Sequence, residues 1–291
     1  MSEGPVRVTP GWLALREGAD AEARATGLLG PLRDHLAKVS PGEERLVVQD
    51  LGCGTGAQAR WLAGRLRGPQ HWILRDRDPD LLVLAGASVL GPASGGGPVT
   101  VETRQGDLTA LRAADFAGTS LVTASALLDL LTFDEVDELA AACVEAGCAA
   151  LLALSVTGRA DLHPADPLDA EIAEAFNAHQ RRTTGDRRLL GPDAVAAATT
   201  AFEHRGATVD SRPSLWRLGP GDAALTEEWL EGWVGAAREQ RPDLAPQADA
   251  YLRHRLDACA AGELSVVLHH ADLLALPAEV SAEVPAEVPG S

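Results

Sequence analysis

The sequence predicts a doubly wound α/β fold on a mainly parallel sheet, and two observations predict it. Short apolar runs alternate with segments of helical periodicity from residue 45 to about 157, as strands joined by crossover helices do. The stretch DLGCGTG, residues 50–56, falls where the first run ends and the first helix opens.

The elements follow in order. RLVVQDLG (Arg45 to Gly52), HWILRD (His71 to Asp76), VTVETRQGD (Val99 to Asp107), SLVTAS (Ser120 to Ser125) and CAALLALSV (Cys148 to Val156) are five strand-like runs. Helices are expected over Ala57 to Leu66, Pro79 to Leu90 and Phe133 to Ala146. GPASGGGP (Gly91 to Pro98) is expected to be a flexible loop, since glycine and proline defeat both helix and strand. The second half is more helical, with helices over Pro167 to Arg182, Pro192 to His204, Ala223 to Glu239 and Ala245 to Ala261. Two late strand-like runs, Ala207 to Leu218 and ELSVVLHH (Glu263 to His270), are expected to pair antiparallel at the sheet edge, with the helices between them an insertion. That makes seven strands. The AEV repeats after Pro277 cannot build a core, so residues 277–291 are expected to be a disordered tail.

Composition narrows the function classes. The 291 residues are 46% hydrophobic and 23% charged, ordinary for a folded chain, and the net charge of −17 opposes nonspecific attraction to a phosphate backbone. Nucleic acid is therefore not an expected partner. The four cysteines show no CxxC spacing and read as reduced thiols. MSEGPVRVTPGW has no basic start followed by an apolar stretch, and no apolar run reaches about 18 residues. A cytoplasmic protein without a membrane span is expected.

The glycine turn carries the chemistry. Gly52, Gly54 and Gly56 permit a tight turn and let a ligand approach the main chain at a helix N-terminus. Acidic residues end the strands around it. Asp76 stands 20 residues after Gly56, where a carboxylate can accept ribose hydroxyls; Asp107 in QGDL can reach an adenine amino group; Asp50 lies where a ligand ammonium would be. Three carboxylates and no basic residue suit a cationic ligand without phosphates. GxGxG rather than GxGxxG counts against a nicotinamide cofactor. A purely structural turn, with Asp76 and Asp107 as loop or helix-cap acids, is the other reading of these residues.

DLGCGTG, the RDRDP step and QGDL together resemble the class I S-adenosylmethionine-dependent methyltransferases, most closely over residues 45–157. The resemblance implies a Rossmann-like methyltransferase fold, a seven-stranded sheet with helical lid insertions and a reversed final strand. It implies S-adenosyl-L-methionine as cofactor, and an enzyme transferring methyl groups. The expected cofactor-binding residues are Arg16, Asp50, Gly52, Cys53, Gly54, Gly56, Asp76, Arg77, Asp107, Leu108, Ala124 and Ser125. Residues 1–44 are expected to form an N-terminal helical cap, and residues 45–276 the methyltransferase domain with lid helices at about 160–190 and 222–261.

The acceptor belongs beyond the carboxyl ends of the strands, near Ala124 and Ser125. TASALL lacks an Asn/Asp-Pro-Pro-Tyr/Phe motif, and no cysteine ends the fifth strand, both of which favour a small-molecule substrate. His179 lies on the apolar side of its helix and is the candidate base, against the plainer reading of an interior histidine. Metal binding by His163, Asp166 and His179 has no recognised ligand spacing, so no metal is expected. The resemblance implies a leading helix that closes over the cofactor, with Arg16 expected to pair with its carboxylate and Trp12 anchoring the same helix. Arg181, Arg182, Arg187 and Arg188 suit a substrate anion or a solvated face. Trp229 and Trp233 share one helical face, as core packing or an aromatic wall. The alternatives are a ribosomal RNA or protein methyltransferase, and a protein that binds the nucleoside without catalysis.

Overall fold

The computed structural model describes residues 8–40, 44–88 and 91–278. Its chain order is α1 (Pro10–Ala23), α2 (Leu29–Val39), β1 (Leu46–Leu51), α3 (Ala57–Ala63), β2 (Gln70–Asp76), α4 (Pro79–Ala87), β3 (Val99–Gln105), β4 (Leu121–Ser125), α5 (Phe133–Glu145) and β5 (Ala149–His163). There follow α6 (Asp169–Gln180), β6 (Thr183–Thr184), β7 (Arg187–Arg188), α7 (Ala194–Glu203), β8 (Thr208–Leu218), α8 (Ala223–Gln240), α9 (Ala245–Ala260) and β9 (Ser265–Leu276).

The sheet has seven strands in the order β3-β2-β1-β4-β5-β9-β8. The first five run parallel, and β9 pairs antiparallel with both β5 and β8. This Rossmann-like arrangement, reversed strand included, is the one the resemblance implies. Strand β1 is buried almost throughout because helices cover both faces. One core joins α5 and α7 to one face, with Val122, Leu152 and Phe202 buried in it. A second joins α2, α3 and α4 to the other, around Val48, Leu62 and Trp72.

Local chemistry sets the helix starts. Thr9 caps α1, accepting from the Trp12 amide at 3.1 Å, with Pro10 at the first helical position. Asp78 caps α4 ahead of Pro79. Thr132 and Glu135 form a reciprocal capping box on α5.

The structure departs from the sequence reading in four places. Strand β5 continues past Val156 to His163, and β9 continues to Leu276. Their antiparallel ladder shifts register at Leu152/Ser155 and again at Val156/Ala160. TGRADLH, polar at alternate positions, is strand, and β9 supplies its hydrogen bonds. The distal halves of β5, β8 and β9 carry a third core with α6, α8 and α9, including Trp216, Trp233 and Tyr251. Residues 183–188 form a small hairpin that was not anticipated. Helix α3 stops at Ala63 rather than Leu66. The glycine-rich segment 91–98 is a loop but an anchored one: Ser94 bridges to Arg67, and a Cβ on Gly97 would lie 2.6 Å from the Gly68 carbonyl oxygen. The tail expectation for 279–291 lies outside the described residues.

Candidate functional site

The parallel strands β1, β2 and β4 end together, and the register sets what meets there. Asp50 lies beside Thr123, Leu51 beside Ala124, and Asp76 beside Gln105. The chain then turns through left-handed backbone, with φ of 61° at Gly52 and 54° at Gly54. Glycine is needed there for space as well as conformation. An added Cβ would lie 3.0 Å from Leu127 at Gly52, and 3.0 Å from Leu13 at Gly54. The turn thus carries no side chain at these positions, and Leu13 of α1 and Leu127 of the segment after β4 pack against it.

Asp76 binds this turn directly. One of its oxygens accepts from the Gly54 amide and the other from the Asp78 amide, each at 2.9 Å. Asp50 is fully buried. Its Oδ1 accepts from the Thr123 hydroxyl at 2.8 Å, and Oδ2 has no partner among the described residues. Burial pushes its carboxyl up to about 7, against the Thr123 hydrogen bond and the Arg24 charge, which favour ionisation. An unpartnered carboxylate oxygen in this position fits a ligand ammonium, and the cradle of bare glycines fits a nucleoside thioether above it. Gln58, at the start of α3, has both its amide oxygen and nitrogen buried without partners among the described residues.

The other expected residues sort as follows. Cys53 is buried, its thiol pushed far up by burial and by the nearby Asp50 and Asp76 charges, so it is inert. Asp107 is exposed and caps a 3-10 turn, accepting from the Thr109 amide and hydroxyl, which holds its carboxyl below the usual value. Arg77 is exposed, and Leu108 packs partly buried on the first core. Ala124 is buried in that same core, so its main chain alone can face a ligand. Ser125 is half-buried, and the next residue, Ala126, adopts φ of 51°, a conformation sparse for residues with a Cβ.

Two of the expected side chains have partners within the protein. Arg16 makes a two-point ion pair with Asp20, at 2.9 and 3.1 Å, and stacks on Trp216 and Trp12. His179 has both ring nitrogens engaged, Nε2 with Glu239 at 3.1 Å and Nδ1 with Arg182 at 3.4 Å, and so ties α6 to α8. The crevice is also not free of basic residues, because Arg24 lies buried beside Ser125. Sequence reasoning missed Arg24 along with Asp20, Asp272 and His270. They sit far apart in the chain and meet only once α1 lies across the strand ends.

Helix α1 is what brings them together. Glu17 bonds Arg60 of α3 at 2.6 and 2.8 Å, and Asp20 accepts from the Trp216 indole at 2.9 Å. Asp272 accepts from the Ala25 amide at 2.8 Å and the Leu154 amide at 2.7 Å. His270, 7% exposed against Trp216, is pushed down to about 4 by burial and the Arg16 charge, and is neutral.

The remaining clusters are structural. Trp229 stacks on Trp233 at 5.0 Å, and Tyr251 donates to Asp169, which also pairs with Arg255, within the third core. Arg181 pairs with Asp193, and Arg187 with Glu135. His163 is exposed, and Asp166 pairs with His254. Among the described residues no group of three or more metal-ligating side chains comes together.

No family model matches the chain, and no curated protein matches it. Among solved structures it is similar to the YcgJ protein of Bacillus subtilis, at 14% identity and a TM-score of 0.45, covering 87% of this chain and 99% of that one. It is similar to the cyclopropane synthase MmaA2 of Mycobacterium tuberculosis, at 12% identity and 0.42, covering 85% and 83%. A third is a SAM-dependent methyltransferase from Thiobacillus denitrificans in complex with S-adenosyl-L-homocysteine, at 16% identity and 0.42, covering 92% and 99%. Likenesses this distant decide nothing about the site, which rests on its own geometry.

Proposed function

We propose that this chain is an S-adenosyl-L-methionine-dependent methyltransferase acting on a small molecule. The observation that carries the reading is Asp76 bonded to the bare glycine turn at the carboxyl end of the sheet. In this reading the main chain of Gly52 to Gly56 takes the amino-acid end of the donor, Asp76 the ribose and Asp107 the adenine. Asp50 offers its unpartnered oxygen to the ammonium, whose charge favours the ionised carboxylate. When bound, the donor supplies an activated methyl group, so the protein has mainly to align two reactants and exclude water. Helix α1 serves the second purpose, with Leu13 over Gly54 and the Glu17–Arg60 ion pair closing one end. Ser125 and the constrained Ala126 present the end of β4 to the acceptor.

A small acceptor is supported by the net charge of −17 and by the arginines near residues 181–188, where Arg181 and Arg187 are each neutralised by a carboxylate. The test is to supply methyl-labelled donor with three pools: a metabolite extract, ribosomal RNA and a protein extract. Label in the small-molecule fraction is expected. Label confined to RNA or protein would move the acceptor to a macromolecule. Donor bound with no label transferred would leave a nucleoside-binding protein.

A further inference from the structure

The sheet has two outer strands, β3 and β8, and they are finished differently. An outer strand offers a row of unpaired amides and carbonyls, which proteins blunt with proline, with bulges or by covering them. Strand β8 carries Pro213 near its middle, a residue with no amide to offer. Strand β3 pairs with β2 along all seven residues, Val99 to Gln105, and contains no proline. None of the seven is buried, and among the described residues no strand pairs with the other side of β3.

The side chains of β3 are self-complementary. Glu102 and Arg104 leave one face of the strand two residues apart and pair at 2.5 Å, each more than 40% exposed, with His71 at 3.4 Å from Glu102. Side chains two apart on one strand are about 6.6 Å apart at their roots, whereas those directly opposed on antiparallel neighbours are about 4.5–5.5 Å apart. With a second copy laid antiparallel and Thr103 on the two-fold axis, Glu102 of each copy stands opposite Arg104 of the other. An isologous contact requires that kind of self-matching pattern. The other face of the strand agrees. Helix α4 packs there, where a Cβ on Gly86 would lie 3.2 Å from the Thr103 methyl. Val83, one turn before Gly86 on the same side of the helix, is 71% exposed. Two α4 helices meeting across the same axis would cover Val83, with Gly86 leaving room for the approach.

We propose that the β3 edge and α4 form a self-association surface, on which a second copy of this chain pairs antiparallel about Thr103. The occupant is a second copy because the charges on the edge match their own two-fold image.

The experiment is sedimentation of the intact chain at about 100 μM, a concentration that reveals modest interfaces. Salt of about 0.15 M screens the net charge of −17. Wild type is compared with Glu102→Arg, Arg104→Glu, an equimolar mixture of those two, and Val83→Glu. Wild type is expected to sediment as a dimer. Each charge variant sets like charges opposite one another twice, and should weaken self-association by about 10-fold or more. Val83→Glu should weaken it as well. The mixture should recover association to within about 3-fold of wild type, because Glu102→Arg in one copy then faces Arg104→Glu in the other. A folding defect in either variant would persist in the mixture, so recovery there reads the contact itself. A monomeric wild type overturns the proposal. A dimer that the charge variants leave intact overturns it too, since the copies then meet elsewhere. Weakening by both variants without recovery in the mixture also overturns it, because the two charges then do not face each other across the axis.

Discussion

Asp76 holds the glycine turn of Gly54 from the neighbouring strand: a 2.9 Å bond from the Gly54 amide joins the end of β2 to the loop that follows β1. The same carboxylate is therefore both a brace for the turn and the group proposed to meet the ribose. Asp76→Ala should weaken S-adenosylhomocysteine binding by about 1–3 kcal/mol, and Asp76→Asn, which keeps an acceptor, by less. Calorimetry measures both. Equal affinity in wild type and Asp76→Ala would separate Asp76 from the nucleoside.

Gly54→Ala tests the turn itself. Alanine at φ of 54° costs about 1–2 kcal/mol in backbone conformation, and the new methyl would crowd Leu13 at 3.0 Å. Denaturant unfolding should show this loss. Adding Leu13→Ala should recover only the crowding part. Wild-type stability in the single variant would mean that the left-handed turn is not kept.

The pH dependence follows from Asp50. Its native value, about 7, lies above the ordinary 3.8, so over that interval the native state binds more proton than the unfolded state. This group's stabilising contribution is present at low pH and is lost as pH rises from about 4 to 7. Asp50→Asn should therefore be more stable than wild type at pH 8, and should gain less at pH 5. Parallel unfolding curves for the two proteins across that range would show that Asp50 titrates as an ordinary carboxyl.

Asp272 fastens α1 to the irregular part of the sheet, where Leu154 adopts φ of 54°. Asp272→Ala leaves the buried Leu154 amide and the half-buried Ala25 amide without acceptors, and should cost about 1–3 kcal/mol. Faster hydrogen exchange at the Ala25 and Leu154 amides should accompany the loss. Destabilisation without faster exchange at Ala25 would put the effect elsewhere.

The parallel half of the fold was legible because its strands open on short apolar runs, as in Leu46–Val48, separated by segments of helical periodicity. Where β5 runs on through Thr157 to His163, exposed positions alternate with half-buried ones, Leu162 alone being buried, and Gly158 interrupts the pattern, so the apolar signal that marks the first half of the strand fades. The glycines and Asp50, Asp76 and Asp107 were visible because strand ends and turn chemistry are local. Arg16 lies on α1 and Arg24 caps its end, each four residues from Asp20, and nothing local says which faces Asp20 and which faces Ser125. That choice is made by Trp216, almost two hundred residues later, whose indole takes one oxygen of Asp20. The partner of His179, Glu239, belongs to a helix whose packing no spacing reveals.

Calorimetric titration of the intact chain with S-adenosylhomocysteine, beside the same titration with a nicotinamide dinucleotide, tests the account most directly. The account predicts saturable binding of the first, one molecule per chain, and no heat from the second. No uptake of S-adenosylhomocysteine, or preference for the dinucleotide, would contradict it.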